Sequence, residues 1–464
     1  MTDVVVVGAG ITGLVAAFGL QQAGLQVVVL DAGEQPGGVI QTVQQSGCQF
    51  ERGPNSALDT TPLIGELLAR LGIEGERRAA STLADRRYVV RGGVPTPLPM
   101  SPGAFLSTPL FSLSAKLGLM REPFLPASDP QVEESIAAFV RRRLGEEFLD
   151  YAIDPFVAGI YAGDPETISV RAAFPKLHAL EQRWGSLIRG QFLGARERRR
   201  QKETAKNSAG SFSFAAGMQA LPKALAAQLP GLELRTRASA LSRDAQGLFT
   251  VDAEQAGRRL QFQSRALLLA TPTGAAAALL RDPAPEAAVA LEEIAYAPVA
   301  TVASLYRRSS ISHALDGFGC LVPRKEQRQV LGVLFSSSMF DGRASDDHVL
   351  LTTFVGGQRN PGLPGRPEAE IAALVHAEHA TLLGAHAAPE FQAVTRWPRA
   401  IPQYTIGHLG RVARADSASS ALPGLFLAGS WKGGVSVGDC IKNGHLQAET
   451  VAAYLRDTQQ RSTR

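Results

Sequence analysis

The N-terminal segment constrains the fold more than any other part of the chain. Val4 to Val7 are four consecutive valines and read as a strand buried on both faces. Gly8-Ala9-Gly10-Ile11-Thr12-Gly13 follows at once, then an apolar helical pattern from Leu14 to Ala23, closed by Gly24. Leu25 to Leu30 reads as a second buried strand with Asp31 at its end. A βαβ dinucleotide site needs these parts in this order. Gly8 permits the tight turn, Gly10 lets a pyrophosphate approach the backbone, and Gly13 lets helix and strand pack closely. The helix N-terminus, at Ile11 and Thr12, offers free N–H groups and a positive dipole end to the phosphates. Asp31 is placed to accept hydrogen bonds from ribose hydroxyls.

Composition excludes several classes. With 464 residues, 45% apolar and 19% charged, the chain is a folded globular protein of two to three domains. Its net charge of +4 is small for this length, so any basic function is local. Cys48, Cys320 and Cys440 lie far apart with no CxxC or Cys/His cluster, which argues against a disulfide framework and a zinc site; no metal is expected. The most apolar long stretch, Ala266 to Leu280, is interrupted by Thr-Pro-Thr-Gly and is shorter than the ~20 residues a membrane span needs. The N-terminus runs straight into the glycine motif without a cleavage site, so a cytoplasmic chain beginning near Met1 is expected.

Two further glycine-rich turns bear on which dinucleotide binds. Gly37-Gly38 follows the acid-bearing strand and suits a second loop passing close to a long ligand such as FAD; an ordinary turn is the other reading. Near the C-terminus the apolar strand Gly424 to Gly429 leads into Gly433-Gly434-Val435-Ser436-Val437-Gly438-Asp439 and a helix from about Cys440 to Leu455. A helix N-terminus aimed at the N1/C2=O region of a reduced flavin would stabilise its negative charge. The plain alternative is one more strand–helix connection.

Between these ends lies a different kind of sequence. Pro95 to Pro126 is rich in proline and apolar residues, among them Phe105, Leu106, Leu110, Phe111, Leu113, Leu117, Leu119, Met120 and Phe124. It reads as core, as a partner surface or as an interfacial membrane patch. Arg183 to Lys206 holds eight basic residues, densest from Arg196 to Lys202. Without aromatic interleaving or a binding module, nucleic acid is not the expected partner. A solvated face and attraction to anionic lipid headgroups remain. Asp59 to Arg70 and Ser135 to Leu149 look helical, and Val299 to Leu305, Val330 to Phe335 and Val349 to Phe354 suggest a second sheet.

In this combination the sequence resembles the oxygen-dependent protoporphyrinogen oxidase family, within the FAD-dependent amine-oxidase-like flavoproteins. The resemblance runs from Val4 to about Leu455. It is carried by FERGPNS (Phe50 to Ser56), RRYVVRGGVPTPLP (Arg86 to Pro99), GIYAGDPETIS (Gly159 to Ser169), YAPVA (Tyr296 to Ala300), GFGCLVP (Gly317 to Pro323), RWPRAIPQYTIGH (Arg396 to His408) and GGVSVGDCIKNG (Gly433 to Gly444). Two departures point away from the amine-oxidase branch. Ser430 stands where related amine oxidases carry an acid, and Val39 where a basic residue is frequent.

The resemblance implies an α/β fold in three parts. A discontinuous Rossmann-type FAD domain would comprise 1–75, 210–275 and 409–464. A mixed-sheet substrate domain would comprise 76–94 and 276–408. A mostly helical, membrane-facing domain would lie at 95–205. Non-covalent FAD would be held by Gly8, Gly10, Ile11, Thr12, Gly13, Asp31, Gly37, Gly38, Gly53, Pro54, Asn55, Ser56, Trp397, Gly429, Val435, Gly438, Asp439 and Ile441. The implied reaction is six-electron oxidation of protoporphyrinogen IX in haem biosynthesis, in three two-electron steps, with dioxygen as acceptor and hydrogen peroxide produced. Coproporphyrinogen III oxidation is the closest rival, an amine oxidase or carotenoid desaturase a distant one, and a flavin-bound protein without substrate a third. Arg87 would pair with a propionate, with Arg86 as fallback. Gly159 would offer its carbonyl to pyrrole N–H groups, and Leu321, Met339 and Phe354 are candidate walls. No catalytic acid or base beyond the flavin is assignable. Peripheral attachment to the inner membrane and a homodimer complete the expectations.

Overall fold

The computed structural model describes residues 2–191, 193 and 210–462. Two seven-stranded sheets organise it. In the first, β1 (Thr2–Val7) lies parallel to β2 (Val27–Leu30) on one side and to the second half of Arg258–Leu269 on the other. Leu232–Glu233 and Leu425–Leu427 extend this parallel core. The hairpin Thr236–Arg243 and Phe249–Gln255 continues it along the first half of Arg258–Leu269. The valine run of β1 is explained by layers on both faces. Val4 and Val6 pack under α1 (Ile11–Gln22) and the C-terminal helix Val437–Ser462. Val5 and Val7 pack under Thr273–Leu280 and Pro285–Glu292.

Residues 276–294, expected with the substrate sheet, belong by packing to this first layer. Ala276, Ala277, Ala287, Ala288 and Ala290 are small enough for their helices to lie close on the sheet. Likewise Arg77–Ala79 pairs with Ser211–Phe214 in a small sheet of its own, not with the substrate sheet.

The second sheet runs Phe391–Pro402, Tyr296–Arg307, His348–Gly356, Val330–Leu334, Gly319–Leu321, Tyr88–Arg91, Val94–Pro97. Neighbours are antiparallel except Gly319–Leu321 beside Tyr88–Arg91. One face is closed by Glu368–Leu383, whose Ile371, Val375 and Leu382 pack on Tyr88, Cys320, Val333 and Val302. The opposite face looks toward the first sheet and the helical part.

The helical part is built on Ile136–Arg143, Asp154–Tyr161 and Pro175–Trp184. The apolar stretch 95–126 divides between two roles. Leu110 and Phe111 are buried, and Phe105 and Leu119 pack against the same core. Leu106, Leu113, Leu117, Met120 and Phe124 are exposed. Arg143, Glu122 and Glu181, all 0% exposed, form a buried ion cluster that ties this stretch to the helices. Glu122 also accepts from the Ser186 hydroxyl at 2.5 Å. No helix among the described residues is long and apolar enough to cross a membrane. The dense basic run Arg196 to Lys202 lies outside the described residues.

Candidate flavin and substrate site

The fingerprint glycines divide by geometry into those that pack and one that leaves room. Gly8 sits at φ +112°, and a Cβ there would meet the Ala270 carbonyl oxygen at 2.6 Å. A Cβ on Gly13 would meet the Gly8 carbonyl at 1.9 Å, so helix and strand close on each other there. A Cβ on Gly10 meets nothing within 4 Å. Gly10 is the N-cap of α1 and no side chain caps the helix. The second glycine pair lies alongside. Gly37 donates its N–H to the Ala9 carbonyl at 2.8 Å, and Gly38 lies close to the Gly10 Cα. An open cradle of backbone N–H groups at a helix N-terminus suits a pyrophosphate.

Asp31 does more than await a ribose. One carboxylate oxygen accepts from the Ala9 N–H at 2.6 Å and the other from the Gly33 N–H at 2.7 Å. It clamps the fingerprint turn.

A second helix N-terminus lies beyond the first. The C-terminal helix runs parallel to α1. A Cβ on Gly444 would lie 2.5 Å from the Thr12 carbonyl, and one on Gly19 2.8 Å from the Ala448 Cβ. Residues 437–443 therefore extend past the start of α1 by about 10 Å, at about 1.5 Å per residue. A long anionic ligand can meet one helix terminus with its pyrophosphate and the other with its ring system. The turn before this helix places Gly429 at φ +146°, Gly433 at +81° and Gly434 at +126°. Ser436 caps the helix, accepting from the Asp439 N–H at 3.1 Å and donating to the Asp439 carboxylate at 2.7 Å. The Asp439 side chain thus serves its own helix. The Ile441 side chain is buried in the core that the two helices share. A Cβ on Gly438 would lie 3.1 Å from Thr60 Oγ1, which brings the strand after Ser56 to this terminus.

The 52–56 segment bridges the two sheets. The Arg52 carbonyl accepts from Trp397 Nε1 at 2.9 Å and from the Thr301 hydroxyl at 2.9 Å. Gly53 packs against the Val39 carbonyl, which a Cβ would approach to 2.0 Å, and Asn55 donates to the Gly53 carbonyl at 3.3 Å. Pro54 and Ser56 are half-buried beside it. Val435, in the C-terminal turn, packs on the helical part. An FAD molecule fits this arrangement: an open glycine cradle, an uncapped helix N-terminus and a second terminus farther on.

The open face of the second sheet carries the substrate candidates. Val89, Leu321, Gly332, Phe354 and Thr301 are successive register partners, so their side chains share one face. Trp397 joins them through its pairing with Val299. Helix Asp154–Tyr161 lies across this row, and a Cβ on Gly159 would meet Leu321 Cδ2 at 3.0 Å. Gly159 sits in the last turn of that helix, where carbonyls have no further helical N–H to accept from. Gly159, Leu321 and Phe354 are thus brought together. Met339 is not at the surface of this wall. It is fully buried, packed with Phe318 and Leu334, and borders a small cavity with Asn55 and Ser336.

The two arginines separate clearly. Arg86 forms an ion pair with Asp316, which also accepts from the Tyr88 hydroxyl at 2.6 Å. Those two contacts hold the Asp316 carboxyl below its usual range, the Tyr88 hydrogen bond more than Arg86. Arg87 is half-buried two residues before Val89, with its guanidinium 5.5 Å from the Phe318 ring. Among the described residues it has no carboxylate partner. The Asp316 pairing joins residues 230 apart, which no local sequence signal announces. For the apolar wall a signal did exist: Gly332 lies inside a strand, and a glycine there marks close approach of another group.

The model of the flavin containing amine oxidoreductase family matches residues 11–452. The chain belongs to this family and is an FAD-dependent oxidoreductase. It is 34% identical to protoporphyrinogen oxidase 2, chloroplastic/mitochondrial, of Arabidopsis thaliana, over 97% of this chain and 94% of that protein. It is 32% identical to coproporphyrinogen III oxidase of Propionibacterium freudenreichii subsp. freudenreichii, over 96% and 90%. A solved structure from Exiguobacterium sp. 255-15 superposes with a TM-score of 0.81 at 25% identity, covering 97% of this chain and 99% of that one. The resemblance to the protoporphyrinogen oxidase family holds over nearly the whole chain.

Proposed function

We propose that this chain oxidises protoporphyrinogen IX to protoporphyrin IX, with dioxygen as electron acceptor and hydrogen peroxide as the second product. FAD, when bound, supplies the two-electron acceptor for each of the three oxidation steps. The observation that carries the reading is Arg87, without a carboxylate partner among the described residues, at the edge of a largely apolar sheet face. A flat macrocycle with carboxylate tails needs that combination. Leu321 and Phe354 supply apolar wall on either side of Gly332. Arg87 holds a propionate through its planar fork. The Gly159 carbonyl accepts from pyrrole N–H groups and fixes the ring's orientation, because a helix end leaves that carbonyl free of a helical partner.

Protoporphyrinogen carries two propionates and two vinyls, whereas coproporphyrinogen carries four propionates. A largely apolar face with Arg87 beside it favours the former, since two extra carboxylates would be desolvated against apolar wall. We further propose that the exposed Leu106, Leu113, Leu117, Met120 and Phe124 seat the protein peripherally on an anionic membrane. Initial rates with both porphyrinogens, followed by product fluorescence, test the substrate reading. A higher kcat/KM for protoporphyrinogen supports it, and the reverse order assigns the chain to coproporphyrinogen.

A further inference from the structure

Tyr404 lies two residues beyond the strand Phe391–Pro402, where three parts of the molecule meet. Its hydroxyl donates to the Ser430 carbonyl at 2.6 Å and accepts from the Gly434 N–H at 2.9 Å. Ser430 and Gly434 bound the turn that leads from the strand Leu425–Leu427 to the C-terminal helix. The backbone carbonyl of Tyr404 accepts from the Ser169 N–H at 2.8 Å, and its ring lies 5.6 Å from that of Tyr161. The neighbouring Gln403 donates to the Tyr161 carbonyl at 2.8 Å. Tyr404 is thereby anchored to the helical part on one side and to the glycine turn on the other.

The ring itself is held. It stacks on the His408 imidazole with centroids 4.1 Å apart and planes 13° from parallel. His408 Nε2 lies 3.0 Å from the Trp431 carbonyl, within the same turn. Burial pushes the His408 imidazole down to about 4, so it is neutral near pH 7 and donates from Nε2. Tyr404 is 2% exposed, and burial raises its phenol well above the ordinary range, so it keeps its proton.

The turn needs such a restraint. Gly433 and Gly434 both sit at positive φ, and a two-glycine segment has many conformations open to it. One hydroxyl crosslinks both ends of the segment. We propose that Tyr404 is a positioning residue for the flavin: by holding Ser430 and Gly434 it pre-organises the turn and the helix N-terminus where negative charge develops on reduction. Donors fixed in advance stabilise such charge without reorganisation. The proposal rests on the flavin site and is independent of which porphyrinogen is oxidised.

Tyr404→Phe tests it, because the substitution keeps the ring stack and removes only the hydroxyl. Three quantities are measured: hydrogen exchange at the Gly434 amide in the FAD-free chain, FAD affinity by reconstitution, and the flavin midpoint potential in the holoprotein. The expected results are faster exchange at Gly434, FAD bound roughly 5- to 30-fold more weakly, as loss of one or two buried hydrogen bonds implies, and a lower midpoint potential. Unchanged affinity and potential overturn the proposal, whatever happens to the melting temperature. Failure of this isosteric variant to fold also overturns it, because the residue then serves the fold alone. A wild-type protein that takes up no FAD refutes the flavin site itself and is recognised before any variant is made.

Discussion

Replacing Arg87 by alanine separates substrate binding from chemistry. Arg87 has no carboxylate partner among the described residues, and its guanidinium rests 5.5 Å from the Phe318 ring. Removing it costs the fold a cation–π contact of about 0.5–1 kcal/mol. Removing it from a propionate costs a charge-assisted hydrogen bond of about 1.5–3 kcal/mol, which corresponds to roughly a 10- to 150-fold loss in kcat/KM. The propionate is remote from the reacting meso carbon, so the contact is similar in ground and transition states and the loss falls mainly on KM. Lysine at this position restores part of it, a point charge lacking the planar fork. Arg86→Ala has a much smaller effect, because Arg86 is already neutralised by Asp316. The assay is initial rate against protoporphyrinogen concentration, with FAD content and melting temperature measured in parallel. Wild-type kinetics in Arg87→Ala would refute the reasoning. So would loss of FAD in that variant, which would make Arg87 a residue of the fold.

Gly10→Val abolishes FAD uptake while the FAD-free chain keeps its melting temperature, since a Cβ at Gly10 meets only open space; full flavin occupancy in a reconstitution titration contradicts this. Burial opposes ionisation of Glu181, but hydrogen bonds from Arg142 and Ser128, with the charges of Arg142 and Arg143, hold its carboxyl below the usual range. A depressed carboxyl contributes stability above its unfolded value of about 4.3, and that contribution is lost as pH falls through the folded value. Melting temperature should therefore drop below about pH 4, and Glu181→Gln should flatten that slope. Serine at both Met120 and Phe124, which are 70% and 81% exposed, should weaken binding to anionic vesicles at least roughly tenfold while leaving the melting temperature unchanged. Equal vesicle binding removes the apolar patch from membrane contact.

The dinucleotide half of the site was legible because its chemistry is local. Gly8, Gly10 and Gly13 lie within one strand–turn–helix, and backbone geometry alone dictates their spacing. The second terminus was legible for the same reason, although the helix starts at Val437, earlier than the pattern of apolar residues indicates. What sequence could not show is what distant residues do to one another. Asp31, read as a ribose acceptor, also spans Ala9 and Gly33 with its carboxylate. Met339, expected as a wall, and Ile441, within the C-terminal motif, are apolar residues whose side chains lie in the interior. Asp316 decides between Arg86 and Arg87 from 230 residues away. Tyr404 was quoted within its motif without a role, because its importance lies in reaching Ser430 and Gly434 across the fold. The helix Glu368–Leu383 carries alanines and histidines in place of a clean apolar stripe, so its place on the second sheet became evident only from packing on Tyr88, Val302 and Val333.

The central claim is that this chain uses FAD and dioxygen to turn a porphyrinogen into a porphyrin. The most direct measurement supplies the purified, FAD-loaded protein with protoporphyrinogen IX in air-saturated buffer and records porphyrin fluorescence and oxygen uptake together. The account predicts porphyrin formation well above the spontaneous rate, with three dioxygen molecules consumed and three hydrogen peroxide molecules formed per porphyrin. Porphyrin formation at the spontaneous rate, by protein with full flavin occupancy, would contradict it.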